Sequence, residues 1–485
     1  MIFLNNPPIE PRERDYGFAG SVMAYCMWIG LAVIAIFDYL RNKIGEYPSV
    51  IASSVICLSA PLIMVQQNWD DHNRGNRYAA RDYASNFLNS VEKNAILFTI
   101  GDNDTYPLWY AQEVEGVRRD VRIVNLSLLA VDWYIDQLYR KVYDSPAVKL
   151  SFPKEKIQGS KRDFIPFYEI EGAKNSTVSL TDVLAYAFSD NPNTMQQLTN
   201  GEMTNVFPAR NFSILVDTQK ILSQHMIDPA NRKKLVKEMK FTKKGSGVMK
   251  NDLLVLDIIN SNINDRPVYF ATTIPDENFN GLDKYLQLEG LAMRVVPVEG
   301  EVSTNGATRA STVYADKIYE NVMQKFKWGN VDKEKVYLDP AYNPALSNIT
   351  SSMLQGAKTF IERGDKQKAL ALSNKYLQVF PEKNRPLDYF AMDVIEILYA
   401  AGDSTQAHKL SVDYAKKCDR ELKYYFNLPD DVRDAFTMEI NMGAQSLQNL
   451  MQYGVTYKDE KLTKEVMPLF EYTRKKYTDL GFGKH

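Results

Sequence analysis

The residues of this chain best equipped for chemistry are two carboxylates and an amide in a row, Asp102-Asn103-Asp104, followed by the hydroxyl of Thr105. Hard oxygen ligands at this density could coordinate a divalent cation such as Ca²⁺ or Mg²⁺, although the regular spacing of an EF-hand loop is missing. They could equally hold a polar ligand. They could also act structurally, by satisfying the free N–H groups at the start of a helix. No cofactor other than such a cation is suggested. A second set lies in Pro11-Arg12-Glu13-Arg14-Asp15. Arg12 and Arg14 suit bidentate binding of a phosphate, or anchoring at a membrane interface through mutual ion pairs. The remaining inventory excludes several classes. The four histidines lack metal-ligand spacing, and Cys26, Cys57 and Cys418 imply no disulfide framework. The chain has no Walker loop, dinucleotide-binding glycine pattern or exposed-nucleophile motif. A net charge of −2 gives no global argument for nucleic acid.

The acidic loop needs elements to position it. Ala95–Ile100 is a short run of β-formers and reads as a buried strand. Gly101 to Thr105 is a turn. Pro107 suits the first turn of a helix that Leu108 to Val114 continues, with Gly116 as its stop. Val121–Leu126 reads as a second strand. Strand, loop, helix and strand make the βαβ unit of a parallel sheet, and in such sheets ligands lie beyond the carboxyl ends of the strands. Residues 251–299 repeat this grammar: a strand at Val268–Thr272, an acidic loop at Pro275-Asp276-Glu277-Asn278, a short helix ending Leu288-Glu289-Gly290, and a strand at Ala292–Val298. A duplicated half is one reading; the common grammar of short α/β units is the other.

Two uncharged runs precede these units, Gly17 to Phe37 and Tyr47 to Gln67. Each has the roughly 20 residues that a helix needs to cross a bilayer. Arg41 and Lys43 between them place the connection in the cytoplasm and both ends of the hairpin outside. A buried helical pair in a soluble protein is the alternative. Between the two α/β units, Phe164–Ile170 and Phe212–Val216 suit strands, Thr218 to Met226 a helix, and Ser179 with Asp182 resembles a capping box. Arg232, Lys233, Lys234, Lys237, Lys240, Lys243 and Lys244 form a basic cluster, either a solvated face or a contact for anionic headgroups. After a linker at Gly300–Thr312, Gly364-Asp365 and Gly402-Asp403 recur at a period of 38 in a helical tail. That spacing suits tetratricopeptide-like helix pairs, with a generic bundle as the alternative.

The stretch GDNDTYPLWYAQEVEGVRRDVRIVNLSLL, together with PRERDY, RPVYFATTIPDEN and YLQLEGLAMRVVPV, resembles the C-terminal region of a bacterial multi-pass membrane-protein family of unassigned function. That family is similar to protein O-mannosyltransferases of the GT-C glycosyltransferase type. The resemblance implies residues 1–70 as an external loop and transmembrane hairpin, 71–305 as a Rossmann-like α/β periplasmic domain, and 306–485 as a tetratricopeptide-like domain. It implies an inner-membrane location with the bulk of the chain extracytoplasmic. A lipid-linked sugar would be the donor, its phosphate held by Arg12 and Arg14, and a protein the acceptor, held near Asp102, Asn103, Asp104 and Thr105. Further protein partners would use the helical repeats. The family's catalytic carboxylate is expected in an early external loop, so the chain reads as part of a longer transferase and no catalytic residue is assigned. A non-catalytic membrane-tethered scaffold is the competing expectation.

Overall fold

An uncharged apolar run can satisfy its backbone polar groups without water only by closing them within a helix, and both such runs do so. The structure, a computed structural model, describes residues 15–73, 75–170, 176–197, 201, 203–223, 226–302, 309–338 and 342–482. Arg12 and Arg14 lie outside the described residues. The chain forms two compact units, residues 1–77 with 333–346, and residues 78–332 with 347–485.

In the first unit, α1 (Ala19–Ile44) and α2 (Glu46–His72) form a helical hairpin. Helix α1 runs past Asp38, so Arg41 and Lys43 occupy its last turn and Gly45 alone makes the corner, at φ +85°. At about 1.5 Å per residue both helices exceed the hydrocarbon core of a bilayer. The spans Tyr16–Ile44 and Glu46–Trp69 each have a mean hydropathy of 2.0. Trp28, Leu31 and Leu62 are exposed around the pair, more apolar surface than a solvated helix presents. Ser49 and Ser53 are buried, with their hydroxyls returned to the carbonyls of Gly45 and Val50.

The second unit opens with α3 (Ala79–Ser90), which buries Tyr83, Phe87 and Leu88. Strand β1 (Ile96–Thr99), α4 (Asp102–Glu113) and β2 (Arg122–Asn125) follow, then α5 (Asp132–Leu138). Between residues 164 and 249 the chain builds three small sheets. One pairs β3 (Phe164–Pro166) with β9 (Gly247–Met249), and one pairs β5 (Met195–Gln197) with β6 (Met203–Asn205). The third joins β4 (Thr177–Ser179), β7 (Asn211–Leu215) and β8 (Glu238–Thr242). Helices α6 (Leu180–Ala187) and α7 (Thr218–Ser223) lie within this stretch. Ser179 is the N-cap of α6 but its side chain caps nothing, so the capping box expected from Ser179 and Asp182 is absent.

Helix α8 (Lys250–Asn262) leads into β10 (Val268–Ala271), β11 (Leu286–Leu288), β12 (Ala292–Val295), β13 (Thr312–Val313) and α9 (Ala315–Glu320). The main sheet has the order β13-β11-β12-β10-β1-β2. Strands β10, β1 and β2 are parallel, with Leu97 opposite both Tyr269 and Ile123. Every residue of these three strands is buried, as a sheet covered on both faces requires. The reading of these residues as a duplicated half does not extend to the topology. Leu286 to Leu288 is a strand, not the end of a helix, and β11 and β12 form an antiparallel hairpin beside β10. Gln287 and Glu289 alternate with buried leucines at period two, the pattern of a strand.

The remaining helices are α10 (Asn343–Glu362), α11 (Lys366–Val379), α12 (Phe390–Ala401), α13 (Ser404–Phe426), α14 (Asp430–Arg433), α15 (Thr437–Thr456) and α16 (Glu460–Asp479). Residues of α10 from Ser347 onward belong to the second unit. Three tight turns join α10 to α11, α12 to α13 and α15 to α16. Asp365, Asp403 and Asp459 cap the second helix of each pair, accepting from the backbone N–H groups of Lys368, Gln406 and Leu462. Gly364, Gly402 and Lys458 precede them at positive φ. The third turn was hidden in the sequence because lysine stands where the other two have glycine.

Candidate functional site

Strand order places the site. The crossover through α4 carries the chain from β1 to β2 on one side, while β10 joins β1 on the other. The order therefore reverses at β1, and the carboxyl ends of β1 and β10 lie at the position where open α/β sheets bind ligands. The acidic loop leaves β1 at this point, and Thr272-Thr273 leaves β10 beside it.

Helix α4 begins at Asp102, with Gly101 as N-cap, so Pro107 lies inside the helix and not in its first turn. The substituted nitrogen of Pro107 cannot donate to the Asn103 carbonyl. Asp104 stands in the first turn, where the positive end of the helix dipole favours a carboxylate. It is 4% exposed. Its Oδ2 accepts from the Ile100 N–H at 3.3 Å and from the Thr273 hydroxyl at 2.5 Å. The Asp104 carboxylate thus ties the loop after β1 to the loop after β10.

Thr105 is fully buried. Its hydroxyl lies 2.8 Å from the Thr99 hydroxyl and 3.3 Å from Asp104 Oδ1, and it accepts from Asn125 Nδ2 at 2.9 Å. Asn125 Nδ2 also reaches the Ile100 carbonyl, which accepts from Ser127 Oγ at 3.0 Å. Thr99, Asn125, Ser127 and Thr273 are the members of this network that the sequence reading missed. The available signal was Asn125 itself, an amide following the apolar pair Ile123-Val124 in its strand, since a buried amide needs partners.

Of the expected ligand-binding residues, the fold thus divides Asp102 and Asn103 from Asp104 and Thr105. Asp102 and Asn103 are exposed and cap no helix N–H. Asp104 and Thr105 are engaged inside, where they hold the loop in shape. The face of α4 that continues from Asp102 carries Tyr106, 53% exposed and stacked on Trp109 with ring centroids 5.5 Å apart. This end of the sheet can therefore offer a carboxylate, an amide and an aromatic plate to a polar ligand, on a backbone fixed from below. Among the described residues, no group of three or more His, Cys, Asp or Glu is arranged to hold a metal ion.

A cleft of about 810 Å³ opens at the opposite, amino end of β1, lined by Glu92, Asn94, Arg118, Asp120, Lys317 and Lys325 among others. Its charges are largely engaged with one another. Arg118 donates to the carbonyls of Leu88, Val91 and Glu92 and to Asp120, while Lys317 pairs with Glu92 at 2.7 Å. With its charges so engaged it is a weaker candidate than the switch point, where the Asp102 and Asn103 side chains have no hydrogen-bond or ion-pair partner among the described residues.

No solved structure matches the chain. Residues 80–316, which include both α/β segments and every residue of the switch-point network, match the family model TMEM260-associated domain 2.

Proposed function

We propose that this chain is the C-terminal portion of a GT-C-like membrane glycosyltransferase, similar to protein O-mannosyltransferases, and that its α/β domain holds the protein acceptor. The observation that carries this reading is the arrangement of residues at the switch point. Asp102 and Asn103 stand exposed over a rigid buried network, and they lie inside the segment that matches a TMEM260-associated domain. Exposed groups on a fixed backbone are what positioning a substrate requires. In this reading the α1–α2 hairpin crosses the inner membrane with both ends outside, the α/β domain is Rossmann-like and extracytoplasmic, and Arg12 and Arg14 hold the phosphate of a lipid-linked sugar donor.

The second reading is a membrane-tethered scaffold that binds protein partners through tetratricopeptide-like helices. It is favoured by the apolar side chains that α15 leaves exposed, Met438 at 71% and Val455 at 66%.

One experiment separates them. Protein-linked hexose is quantified by mass spectrometry in cells lacking the gene, in complemented cells, and in cells carrying Asp102→Ala with Asn103→Ala. The transferase reading expects glycopeptides to vanish on deletion and to fall in the double variant while its melting temperature holds. Unchanged glycopeptides after deletion would remove that reading and leave the scaffold.

A further inference from the structure

Most cations on the α/β surface have a carboxylate partner. Lys149 and Lys220 share Asp265, Lys156 and Arg162 share Asp190, and Lys284 pairs with Glu299. Residues 232–237 break the pattern, whereas Lys243 further on pairs with Asp252 at 2.9 Å. Arg232, Lys233, Lys234 and Lys237 are all exposed, and none has a carboxylate within ion-pairing distance among the described residues. Lys240 projects beside them and meets only Glu238, at 3.3 Å.

The ridge is held rigid. Asp228 caps the turn Pro229–Lys234 by accepting from the Ala230 N–H at 3.0 Å, and its other oxygen is buried against Arg363. Leu235 bridges Val298, the Val236 N–H donates to the Pro297 carbonyl, and the Lys237 carbonyl accepts from the Val216 N–H. Strand β8 then alternates, burying Met239 and Phe241 and turning Lys240 outward. Like charges held together on a fixed backbone repel one another, and an anionic surface relieves that repulsion.

We propose that this ridge, Arg232 to Lys240, docks the α/β domain on the anionic headgroups of a lipid bilayer. Three observations choose that occupant. The exposed cations follow one another along a single short run, on the turn Pro229–Lys234 and the outward side of β8, which suits an extended anionic surface. The chain carries two helices apolar enough to span a bilayer. In sequence the α/β unit follows the second of them within a few residues, and tethering to a membrane raises the effective concentration of headgroups around the whole unit. The inference rests on the membrane reading of α1 and α2 and is independent of glycosyl transfer.

The test uses the full chain in nanodiscs, which leave both membrane sides open. Discs of phosphatidylcholine are compared with discs containing equimolar phosphatidylglycerol. Lysines are briefly acetylated and quantified by mass spectrometry, with exposed Lys366 and Lys458 as internal references. Acetylation of Lys233, Lys234 and Lys237 is expected to fall about threefold or more in anionic discs. It should recover in about 0.5 M salt, where screening shortens electrostatic reach. Equal rates in the two discs overturn the proposal and leave the membrane helices standing. A fall of the same size in neutral discs also overturns it, since it would mark a contact that needs no anionic lipid. A chain that enters neither disc overturns the membrane reading and the proposal with it.

Discussion

The segments around β1 and β10 have nearly the same sequence grammar and opposite topologies. Each runs from a buried strand to an acidic loop, then to a Glu-Gly pair and another strand. After β1 the chain makes a full helix and returns parallel as β2; after β10 it makes two short 3₁₀ turns and returns as the antiparallel hairpin β11–β12. The difference lies in what the glycine does. Gly116, φ +68°, ends α4 in open surroundings, where an added Cβ would meet only the Arg119 guanidinium, 3.9 Å away. Gly290, φ +120°, sits in the hairpin turn with Ser90 Oγ 2.6 Å from the position of a Cβ. Ser90 accepts from the Leu291 N–H, and Asn321 donates to the Glu289 carbonyl, so α3 and residues after α9 clamp that turn. A Glu-Gly pair can therefore stop a helix or turn a hairpin, depending on the surface behind it.

The largest expected effect comes from testing these glycines against each other. Gly290→Ala combines an unfavourable backbone region with a backing side chain that cannot withdraw without losing its own bonds, and should cost about 3 kcal/mol or more. Gly116→Ala carries only the left-handed penalty, about 1 kcal/mol. Urea unfolding of the detergent-solubilised chain measures both, and equal losses would erase the distinction.

Next comes the carboxylate that joins the two segments. Asp104→Ala leaves the Ile100 N–H and the Thr273 hydroxyl without their acceptor, an expected loss of about 2–3 kcal/mol. The same unfolding curves report it. Thr273→Val, on the β10 side, should recover part of that loss when combined with Asp104→Ala, because the orphaned hydroxyl is then gone.

The two segments should also differ in the sign of their pH dependence. Burial lifts the Glu289 carboxyl above its ordinary 4.5, against the pull of Arg294, Tyr269 and Gln287. Its folded state holds the proton more tightly, so its contribution to stability is full below about pH 4.5 and is lost as pH rises through the folded value. Asp120, just before β2, is lowered from 3.8: burial pushes it up, but the Arg118 guanidinium and the Asn94 N–H outweigh that. Its contribution is present above pH 3.8 and is lost as pH falls through the folded value. Unfolding midpoints measured from acid to neutral pH should lose the first slope in Glu289→Gln and the second in Asp120→Asn.

The smallest stability change is expected at the exposed end of the site. Asp102→Ala removes no hydrogen bond among the described residues and should stay within about 0.5 kcal/mol. A loss comparable to that of Asp104→Ala would show that Asp102 is structural and would remove it from the candidate site.

Much of this arrangement was legible from local pattern. The apolar runs wrote the two long helices, because only a helix closes its own backbone in an apolar environment. The strands 96–99 and 122–125, the helix between them and the two Gly-Asp turns of the helical tail follow from β-propensity, glycine and capping chemistry within a few residues. The capping box at Ser179 was a local signal that the fold did not use.

Tertiary structure alone decided the rest. Whether Leu286 to Leu288 coils or extends depends on β12 arriving beside it, since a leucine-rich segment of that length fits either state. Which of four adjacent polar residues face solvent depends on Thr99, Asn125 and Thr273, brought to Asp104 and Thr105 from two strands and a loop as much as 169 residues away. Sequence fixes the inventory of donors and acceptors near a loop. Burial decides which of them must be satisfied internally and which remain free to bind, because a buried polar group pays a desolvation penalty that an exposed one does not.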